Sequence, residues 1–578
     1  MEEITVEGAA DGYVELFNRY GVDYVFSSPG TEFVPLWEYL AKYNSQGKKP
    51  FYVNTRHEAV SLTMAKGYAM ATGRPQVVLT HVLVGLLHGA MELRALYTDN
   101  VPVVLFVGQA WTHDREVHGG TPGSHYMSFT QVGGQPRVVQ PYVKWSSSPA
   151  SNANILDVLS RAFDVASSDL RGPVVVAISR ELLFEKVARM RMPERKPRPT
   201  QVQADPVALK RLAGLLAEAE SPLVYTRYLG RNPSAVSSLV EFAEMLALPV
   251  FETPGYVNFP TDHPLHMGYN IGPHSAKSDL ILVIDSSSWP PWYPPTSIRD
   301  SSDAKIAFMD IDPLQHKYPS YTYPADMLVT ADSSLALPAL IDALVPLLEE
   351  SSGSLRKRRD RWVEEHVRLR DEWRREALGT RDDAPIDPRW LCRCIDEVLD
   401  EETITVNETI THGRIIHRHV EVNRVRPGTH FEATGPVAHS GLGQGLGVAL
   451  GVKLAEPGKT VIALEGDGSF NYNPIHANFA LSQEYELPFL TVIFDNLSYA
   501  AMKQHSRFYP DGWSVKDERY YGVYMKPKTD YVKIAEAFGG YGEVVEDPSE
   551  VKSSLQRALG QVEEGRLALI DVMVKPPL

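Results

Sequence analysis

The segment TVIALEGDGSFNYNPIHANF at residues 460–479, followed by FLTVIFDN at 489–496, decides the fold of this chain. Both parts begin with an apolar, β-branched run, which is typical of strands that are covered on both faces of a sheet. Between them, HANFALSQEYELP has the pattern of a helix. A strand, a helix and a second strand in this order predict two parallel strands of an α/β sheet.

Polar side chains stand where each of these strands should end. Asp467 lies between Gly466 and Gly468 after the first strand, and Asn496 follows the second strand. If the strands are neighbours, the carboxylate and the amide meet at the C-terminal edge of the sheet, where ligands of such sheets bind. Oxygen donors of this kind suit Mg²⁺, and the glycines let backbone N–H groups from Ser469 onward approach an anion closely. The segment therefore predicts a magnesium and phosphate site.

A second glycine-rich run, GLGQGLG at 441–447, has a competing interpretation as a dinucleotide-binding loop. The G-x-G-x-x-G fingerprint requires a third glycine three residues after the second. Leu446 and Val448 stand at those positions here. The run is therefore weak evidence for a nicotinamide cofactor.

The alternation of strand and helix patterns extends over the whole chain. Strand-like runs include VPVVLFVGQ at 101–109 in the first third and LILVIDSSS at 280–288 in the middle third. We expect an α/β fold of three doubly wound parallel-sheet domains at residues 1–185, 200–350 and 385–578. The stretch 186–205, rich in Pro, Arg and Lys, predicts an exposed linker, and the charged segment 351–380 predicts a solvated connecting helix.

Composition narrows the function classes. The 578 residues include 57 basic and 72 acidic side chains, a formal net charge of -15, which argues against a nucleic acid or an anionic membrane as the main partner. Two cysteines, Cys392 and Cys394, are too few for a disulfide framework and are expected to be partly buried thiols on one helix. The acidic N-terminus lacks the apolar core of a signal peptide, and no apolar run reaches the ~18 residues of a membrane span. We expect a cytoplasmic protein.

GDGS followed about thirty residues later by Asp-Asn at a strand end resembles the thiamine diphosphate signature. The whole chain resembles the family of benzoylformate decarboxylase, acetolactate synthase and pyruvate decarboxylase. The resemblance is carried by RHEAVSLTMAKGYAMATGRP at 56–75, LTHVLVGLLHGAMELRALYTDNVPVVLFVGQ at 79–109, NFPTDHPLHMG at 258–268, MDIDP at 309–313 and HSGLGQGLGVALGVKLAEPGKTVIALEGDGSF at 439–470. The chain departs from the family pattern in having Asp-Asn for Asn-Asn, VLVGLLHG for the first-domain Gly-Pro-Gly, and no flavin signature in the middle domain.

The resemblance implies a set of site residues. Glu58 would activate the cofactor by a hydrogen bond to its pyrimidine ring, and Leu442 would hold the two cofactor rings in a bent conformation. The candidates for proton transfer and substrate contact are His81, Gln109 and His118, with His113 as a weaker one. The residues expected to bind the cofactor are Thr411, Ser440, Leu442, Gly466, Asp467, Gly468, Ser469, Asn496 and Ser498, of which Asp467, Asn496 and the Ser498 carbonyl would bind Mg²⁺.

The implied activity is that of a lyase that depends on thiamine diphosphate and Mg²⁺. It would decarboxylate a 2-oxo acid, join the resulting enamine to an aldehyde or ketone, or do both. A 2-hydroxyacyl-CoA lyase, an acetolactate-synthase-type carboligase and a non-catalytic cofactor-binding paralogue stay open as alternatives. The expected partners are a small 2-oxo acid, 2-hydroxyacyl-CoA or aldehyde substrate and a second copy of the chain, in a homodimer or dimer of dimers with shared active sites.

Overall fold

The computed structural model describes residues 2–28, 30–110, 131–197, 199–253, 255–286, 303–318, 325–348, 352–434 and 441–576. These residues form two compact units. The first unit comprises residues 1–199, 433–458 and 470–487, and the second comprises 200–432, 459–469 and 488–578. Three parallel sheets confirm the α/β prediction, one in the first unit and two in the second.

The sheet of the first unit has six parallel strands in the order β3-β2-β4-β5-β7-β6. Its interior strands are mostly apolar and buried, as expected when helices cover both faces. The strands are β2 Tyr24–Ser27, β3 Phe51–Asn54, β4 Gln76–Thr80, β5 Val103–Gln109, β6 Trp145–Ser147 and β7 Val174–Ser179. The helices of this unit are Ala9–Arg19, Val34–Ser45, Glu58–Thr72, Val82–His88, Ala90–Thr98, Gln135–Val139, Ile155–Ser167, Arg180–Phe184, Gly445–Ala455 and Ile475–Glu484.

The stretch predicted to be an exposed linker contains a strand. β8 (Arg189–Met192) pairs antiparallel with β1 (Glu2–Thr5), and the side chains of Met190 and Met192 are buried in the core of the first unit. The prediction relied on the Arg and Lys content of this stretch, which occupies only the outward positions of the strand. Exposed and buried residues alternate along this strand, so its overall composition is charged although one of its faces is buried.

The central sheet of the second unit has five parallel strands in the order β10-β9-β11-β12-β13. The strands are β9 Pro222–Thr226, β10 Val250–Glu252, β11 Leu280–Ile284, β12 Lys305–Asp310 and β13 Met327–Thr330. The helices around it are Pro206–Glu218, Pro233–Leu246, Gly272–Ser275 and Ser333–Leu344.

The third sheet has six parallel strands in the order β15-β14-β16-β17-β19-β18. Renumbered from their own first strand, the first and third sheets have the same order, 2-1-3-4-6-5. The strands are β14 Ile404–Glu408, β15 His430–Glu432, β16 Val461–Gly466, β17 Leu490–Asp495, β18 Tyr541–Val545 and β19 Ala568–Met573. The helices in this part of the chain are Pro388–Val398, Gly413–His419, Asp467–Tyr472, Ala500–His505, Trp513–Lys516, Tyr531–Ala537 and Val551–Glu563, and Cys392 and Cys394 are buried on the first of them.

The charged segment forms a single helix, Ser352–Leu378, but it is not solvated on all sides. Trp362 and Trp373 are buried, and the Arg358 guanidinium donates to the carbonyl oxygens of Leu246 and Ala219 at 3.0 and 2.7 Å. An arginine of this helix therefore also binds backbone carbonyl groups at the ends of neighbouring helices, which composition alone does not reveal.

Among the residues that the structure describes, no helix combines the length and the apolar character that crossing a bilayer requires. The cytoplasmic location stays a prediction.

Candidate active site

The predicted metal ligands lie together in the second unit. β16 and β17 are parallel neighbours, so Asp467 and Asn496 leave the sheet at the same edge. Asp467 Oδ2 accepts hydrogen bonds from the backbone N–H groups of Asn496 and Ser498 at 3.2 and 3.1 Å, and Oδ1 accepts from Gly468 N–H at 2.8 Å. Ser498 Oγ donates to Asn496 Oδ1 at 2.5 Å. The Asp467 carboxylate thus holds the loop that carries Asn496 and Ser498, while Ser469 is buried in the short helix that begins at Asp467.

Negative charge accumulates behind this loop. Asp495 and Asp571, on the adjacent strands β17 and β19, are both buried. Burial raises the pKa of Asp467, and the neighbouring Asp495 carboxylate raises it further. Lys528 Nζ lies 3.7 Å from Asp571 Oδ2. A hard divalent cation suits this set of carboxylate and amide oxygens, because such ions prefer oxygen ligands.

The turn that carries Thr411 begins at the neighbouring strand β14. Asn407 Oδ1 accepts hydrogen bonds from Thr409 N–H and Oγ at 3.1 and 2.9 Å, which fixes the start of the turn. A Cβ placed on Gly466 would lie 3.5 Å from the Thr409 carbonyl oxygen, so a larger side chain would project between the two loops. Because β14 and β16 are the first and third strands of their sheet, this edge is its topological switch point.

Three segments that hold predicted cofactor residues share an unusual backbone conformation. Arg56, Ile410 and Leu497 have φ angles of 60°, 49° and 54°. Residues other than glycine rarely adopt this left-handed region, and a β-branched residue such as isoleucine is especially rare there. Strain of this kind concentrates at ligand-binding sites, because the surrounding structure holds a loop in the shape that the ligand needs.

The first unit places Glu58 at the first position of the Glu58–Thr72 helix. Its side chain is 14% exposed, and His88 Nδ1 lies 2.7 Å from Glu58 Oε2. His57 precedes it, and its Nδ1 accepts a hydrogen bond from Ala59 N–H at 3.2 Å. The carboxylate therefore has one histidine partner and only limited contact with solvent, which suits a group that has to make a strong hydrogen bond.

His81 follows β4 and has a carboxylate partner that the sequence reading missed. Glu32 is fully buried, with Oε2 2.8 Å from His81 Nδ1, and its Oε1 accepts from Val82 N–H at 2.9 Å. The hydrogen bond to Glu32 raises the pKa of His81, burial opposes the rise, and the charge of Glu58 adds to it. Glu32 lies five residues after the end of β2 and is separated from Gly30 by Thr31, so the Gly-Asp-Gly pattern that marks Asp467 is not repeated there.

Of the remaining candidate residues, the structure describes Gln109. Gln109 ends β5, and its Nε2 donates to Gln135 Oε1 at 3.2 Å. His113, His118 and Ser440 lie outside the described residues.

Leu442 lies in the turn before the Gly445–Ala455 helix, and this helix packs tightly on the Glu58–Thr72 helix. Gly443, at φ 90°, admits no Cβ because the Tyr472 carbonyl oxygen occupies that space, and a Cβ on Gly447 would overlap Thr63. The buried Lys66 ammonium binds Asp99 Oδ2 at 2.6 Å and Gln444 Oε1 at 2.8 Å. The glycine-rich run therefore serves a tight turn and close helix packing.

Comparison with known protein families gives a match in each of the three parts of the chain. Residues 8–130 match the family described as thiamine pyrophosphate enzyme, N-terminal TPP binding domain. Residues 209–340 match the central domain of the thiamine pyrophosphate enzymes, and residues 411–572 match their C-terminal TPP binding domain.

Relatives and solved structures span nearly the full length. The acetolactate synthase isozyme 3 large subunit of Escherichia coli K12 is 26% identical, over 96% of this chain and 92% of its own. The benzoylformate decarboxylase of Pseudomonas aeruginosa is 26% identical, over 94% and 95%. The crystal structure of benzoylformate decarboxylase from Polynucleobacter necessarius has the same fold, with a TM-score of 0.77, 20% identity and 99% coverage of both chains.

The three domain matches, in the order of the chain, agree with the three sheets and with the clustered Asp467 loop. The protein is an enzyme of the decarboxylase and carboligase type, and the chain belongs to the family of thiamine-pyrophosphate-dependent enzymes.

Proposed function

We propose that this enzyme depends on Mg²⁺ as well as thiamine diphosphate, and that it decarboxylates a 2-oxo acid, joins the product to an aldehyde or ketone, or does both. The observation that carries the metal assignment is the convergence of Asp467, Asn496 and the Ser498 backbone beside two further buried acids. The names of the relatives, acetolactate synthase and benzoylformate decarboxylase, support a small 2-oxo acid as the substrate.

The residues present fit the cofactor. The oxygen donors of Asp467, Asn496 and Ser498 would hold the metal and, through it, the diphosphate, and Thr411 with Gly466, Gly468 and Ser469 would contact the phosphate oxygens. Leu442, with the Ser440 carbonyl, would hold the two rings. When bound, thiamine diphosphate accepts the electron pair released as CO₂ leaves a 2-oxo acid.

The chain itself supplies proton transfer and orientation. Glu58 would hold a proton at the pyrimidine nitrogen, and its limited exposure strengthens that hydrogen bond. His81 would exchange a proton with the substrate, Gln109 would orient a polar substrate atom, and His118 stays a further candidate for proton transfer. General acid–base help of this kind contributes about 10²- to 10⁴-fold to a rate.

We further propose a homodimer, alone or as a dimer of dimers, in which Glu58 of one chain serves the same site as Asp467 of the partner subunit. Val84, Leu87 and Met91, on the helices next to Glu58, are 53%, 51% and 39% exposed. Large apolar side chains that cluster on a surface are typical of a protein interface. A second chain of the same kind would cover them and complete the site.

An acetolactate-synthase-type carboligase is the second candidate, because relatives with that name align along the whole chain. Product analysis separates the two activities: an aldehyde as the main product from a single 2-oxo acid identifies a decarboxylase, and a 2-hydroxy ketone or 2-hydroxy acid of longer chain identifies a carboligase. The same panel should include 2-hydroxyacyl-CoAs and aldehydes, which test the CoA lyase alternative.

The metal assignment is tested by removing the central ligand. Asp467→Ala should weaken thiamine diphosphate binding at least ~10-fold, because a charged metal ligand is lost, while the chain stays folded. Titration calorimetry with and without Mg²⁺ measures the effect, and circular dichroism reports the fold. Wild-type affinity in this variant would refute the assignment. Asp383→Ala, which removes an acid from the surface pair with Lys575, is the matched control.

A further inference from the structure

Glu32 lies at the switch point of the first sheet. It follows β2, His81 follows β4, and these two neighbouring strands are the first and third of their sheet. Asp467 occupies the corresponding edge of the third sheet, between β14 and β16. The two sheets have the same strand order, so Glu32 and His81 stand where an α/β sheet of this topology binds its ligand.

Both carboxylate oxygens of Glu32 are in use. Oε2 lies 2.8 Å from His81 Nδ1, and Oε1 accepts the N–H of Val82, the first residue of the Val82–His88 helix. That N–H is one of the donors that a helix cannot satisfy within itself. Because a carboxylate is only an acceptor, the proton in the contact with His81 belongs to the ring. Nδ1 is therefore the protonated nitrogen in both the neutral and the charged imidazole.

The surrounding backbone leaves room for this carboxylate and for little else. A Cβ placed on Gly108 would overlap the side chain of Glu32, and one placed on Gly30 would lie 2.6 Å from Glu32 Oε1 and 2.8 Å from His81 Nδ1. Two glycines at these points keep the pair in contact. His81 itself is 28% exposed, whereas Glu32 is fully buried.

We propose that Glu32 is a positioning residue, whose carboxylate holds the proton on His81 Nδ1 and so presents Nε2 as the nitrogen that exchanges a proton with the substrate. The inference rests on the proposed role of His81 in proton transfer. Neutral His81 then accepts a proton at Nε2, and charged His81 donates one from the same atom. A carboxylate that fixes the tautomer of a histidine in this way sets which ring nitrogen can react.

Charged groups of opposite sign face the pair from two other elements. Glu58 lies on the other side of Gly85 from His81 and adds negative charge, and Arg180 faces Glu32 from the Arg180–Phe184 helix. Glu58 has its own partner in His88. Since Glu32 provides the largest contribution, its loss should move the titration of His81 to lower pH, whichever form of His81 is the active one.

Glu32→Gln is the decisive variant. If its amide oxygen keeps the bond to Val82 N–H, the amide NH₂ faces His81 Nδ1 and forces neutral His81 to carry its proton on Nε2. We expect histidine-labelled NMR of the holoenzyme, assigned with His81→Ala, to show the change of tautomer and a lower pKa for His81. Gly108→Ala should give the same two changes by displacing the carboxylate. Glu38→Gln, an exposed acid in the same part of the chain, should give neither.

Kinetics supply the second readout. With a substrate found in the panel, Glu32→Gln should lower kcat by at least ~10-fold, part of the scale of acid–base help, and shift the pH profile to lower pH, while exchange of the cofactor C2 proton stays near the wild-type rate. In a chain that already carries His81→Ala, Glu32→Gln should lower kcat no further, because Glu32 acts through the imidazole of His81.

The outcomes separate the two proposals. An unchanged tautomer and pKa of His81 in Glu32→Gln, or an equal loss of kcat with and without His81, would overturn the role of Glu32. If the wild-type enzyme turned over no 2-oxo acid or aldehyde, the proposed function would fail, and the NMR result would still decide whether Glu32 fixes the imidazole.

Discussion

Glu58 shows how much a single side chain depends on its environment. It begins a helix, is largely shielded from solvent and touches His88, so it is a carboxylate with one defined partner. A hydrogen bond from such a group is stronger than it would be in water. The residue before His57, Arg56, holds a left-handed conformation that directs the chain into this helix.

We expect Glu58→Gln to retain thiamine diphosphate but to slow exchange of its C2 proton by ~10²-fold or more, because an amide cannot relay the proton. Hydrogen–deuterium exchange after acid quench, followed by NMR, measures this rate. His88→Gln serves as the comparison, since it removes the partner and leaves the carboxylate. Exchange at the wild-type rate in Glu58→Gln would show that Glu58 does not activate the cofactor.

At this scale the prediction of site residues followed from a motif that marks a strand end. Asp467 was predicted because an apolar strand runs directly into Gly-Asp-Gly, and the structure brings it to Asn496 and Ser498. Glu32 was missed because it lies five residues beyond its strand and no glycine adjoins it. Its strand is only four residues long, and its contact with His81 joins residues 49 apart in sequence, which no local pattern encodes.

Secondary structure elements were predictable where both faces of a strand are covered, as in β5, β16 and β17. Secondary structure elements were less predictable where charged, exposed residues alternate with buried ones. β8 was hidden by its arginines, and the Ser352–Leu378 helix looked fully solvated although Trp362 and Trp373 are buried. Composition averages over the faces of an element, whereas packing depends on one face only.

The contact between the Glu58–Thr72 and Gly445–Ala455 helices depends on a buried lysine. Lys66 is paired with Asp99 and also binds Gln444, so Lys66→Met removes the charge of Lys66 from this buried pair. Breaking a buried pair costs about 3–5 kcal/mol, which we expect as a loss in the free energy of unfolding measured with urea. Lys66→Met with Asp99→Leu should recover most of the loss. Equal stability of the single and double variants would contradict this account.

At the scale of the whole molecule, burial of neutral histidines makes the fold sensitive to acid. Burial lowers the pKa of His266 and His412 to about 4 and that of His419 to about 3. All three lie in the second unit, away from the bulk solvent. An unfolded chain binds protons at these positions near pH 6.5, whereas the folded chain does not.

The contribution of these three histidines to the free energy of unfolding of the apoenzyme should therefore fall as the pH is lowered from 6.5 towards 4. Each such histidine contributes up to about 1.4 kcal/mol per pH unit in that window, because the unfolded state takes up the protons. His419→Leu should make the decline shallower. The exposed His316, changed to alanine, should leave the slope unaltered. If the urea midpoint of His419→Leu depended on pH in the same way as that of the wild type, the prediction would be refuted.

The shared site is tested by mixing chains. Glu58→Gln and Asp467→Ala chains, each inactive alone, should regain activity when they are co-expressed, because one site of a mixed dimer collects both defects and the other collects none. Random pairing makes about half of the dimers mixed, so about a quarter of all sites should be intact. Activity per mole of purified mixed enzyme is the measurement. If no activity returned although mass spectrometry proved mixed dimers, each site would be built within one chain.

The repeated strand order 2-1-3-4-6-5 has a consequence for the history of the gene. Two six-stranded sheets with the same strand order are most simply explained by duplication of one ancestral domain. One copy now holds Glu32 and His81 at its switch point, and the other holds Asp467 and Asn496, the proposed metal ligands. Substitutions that redirect the chemistry of descendants should therefore fall at matching strand ends of both copies, while the scaffold between them is inherited unchanged.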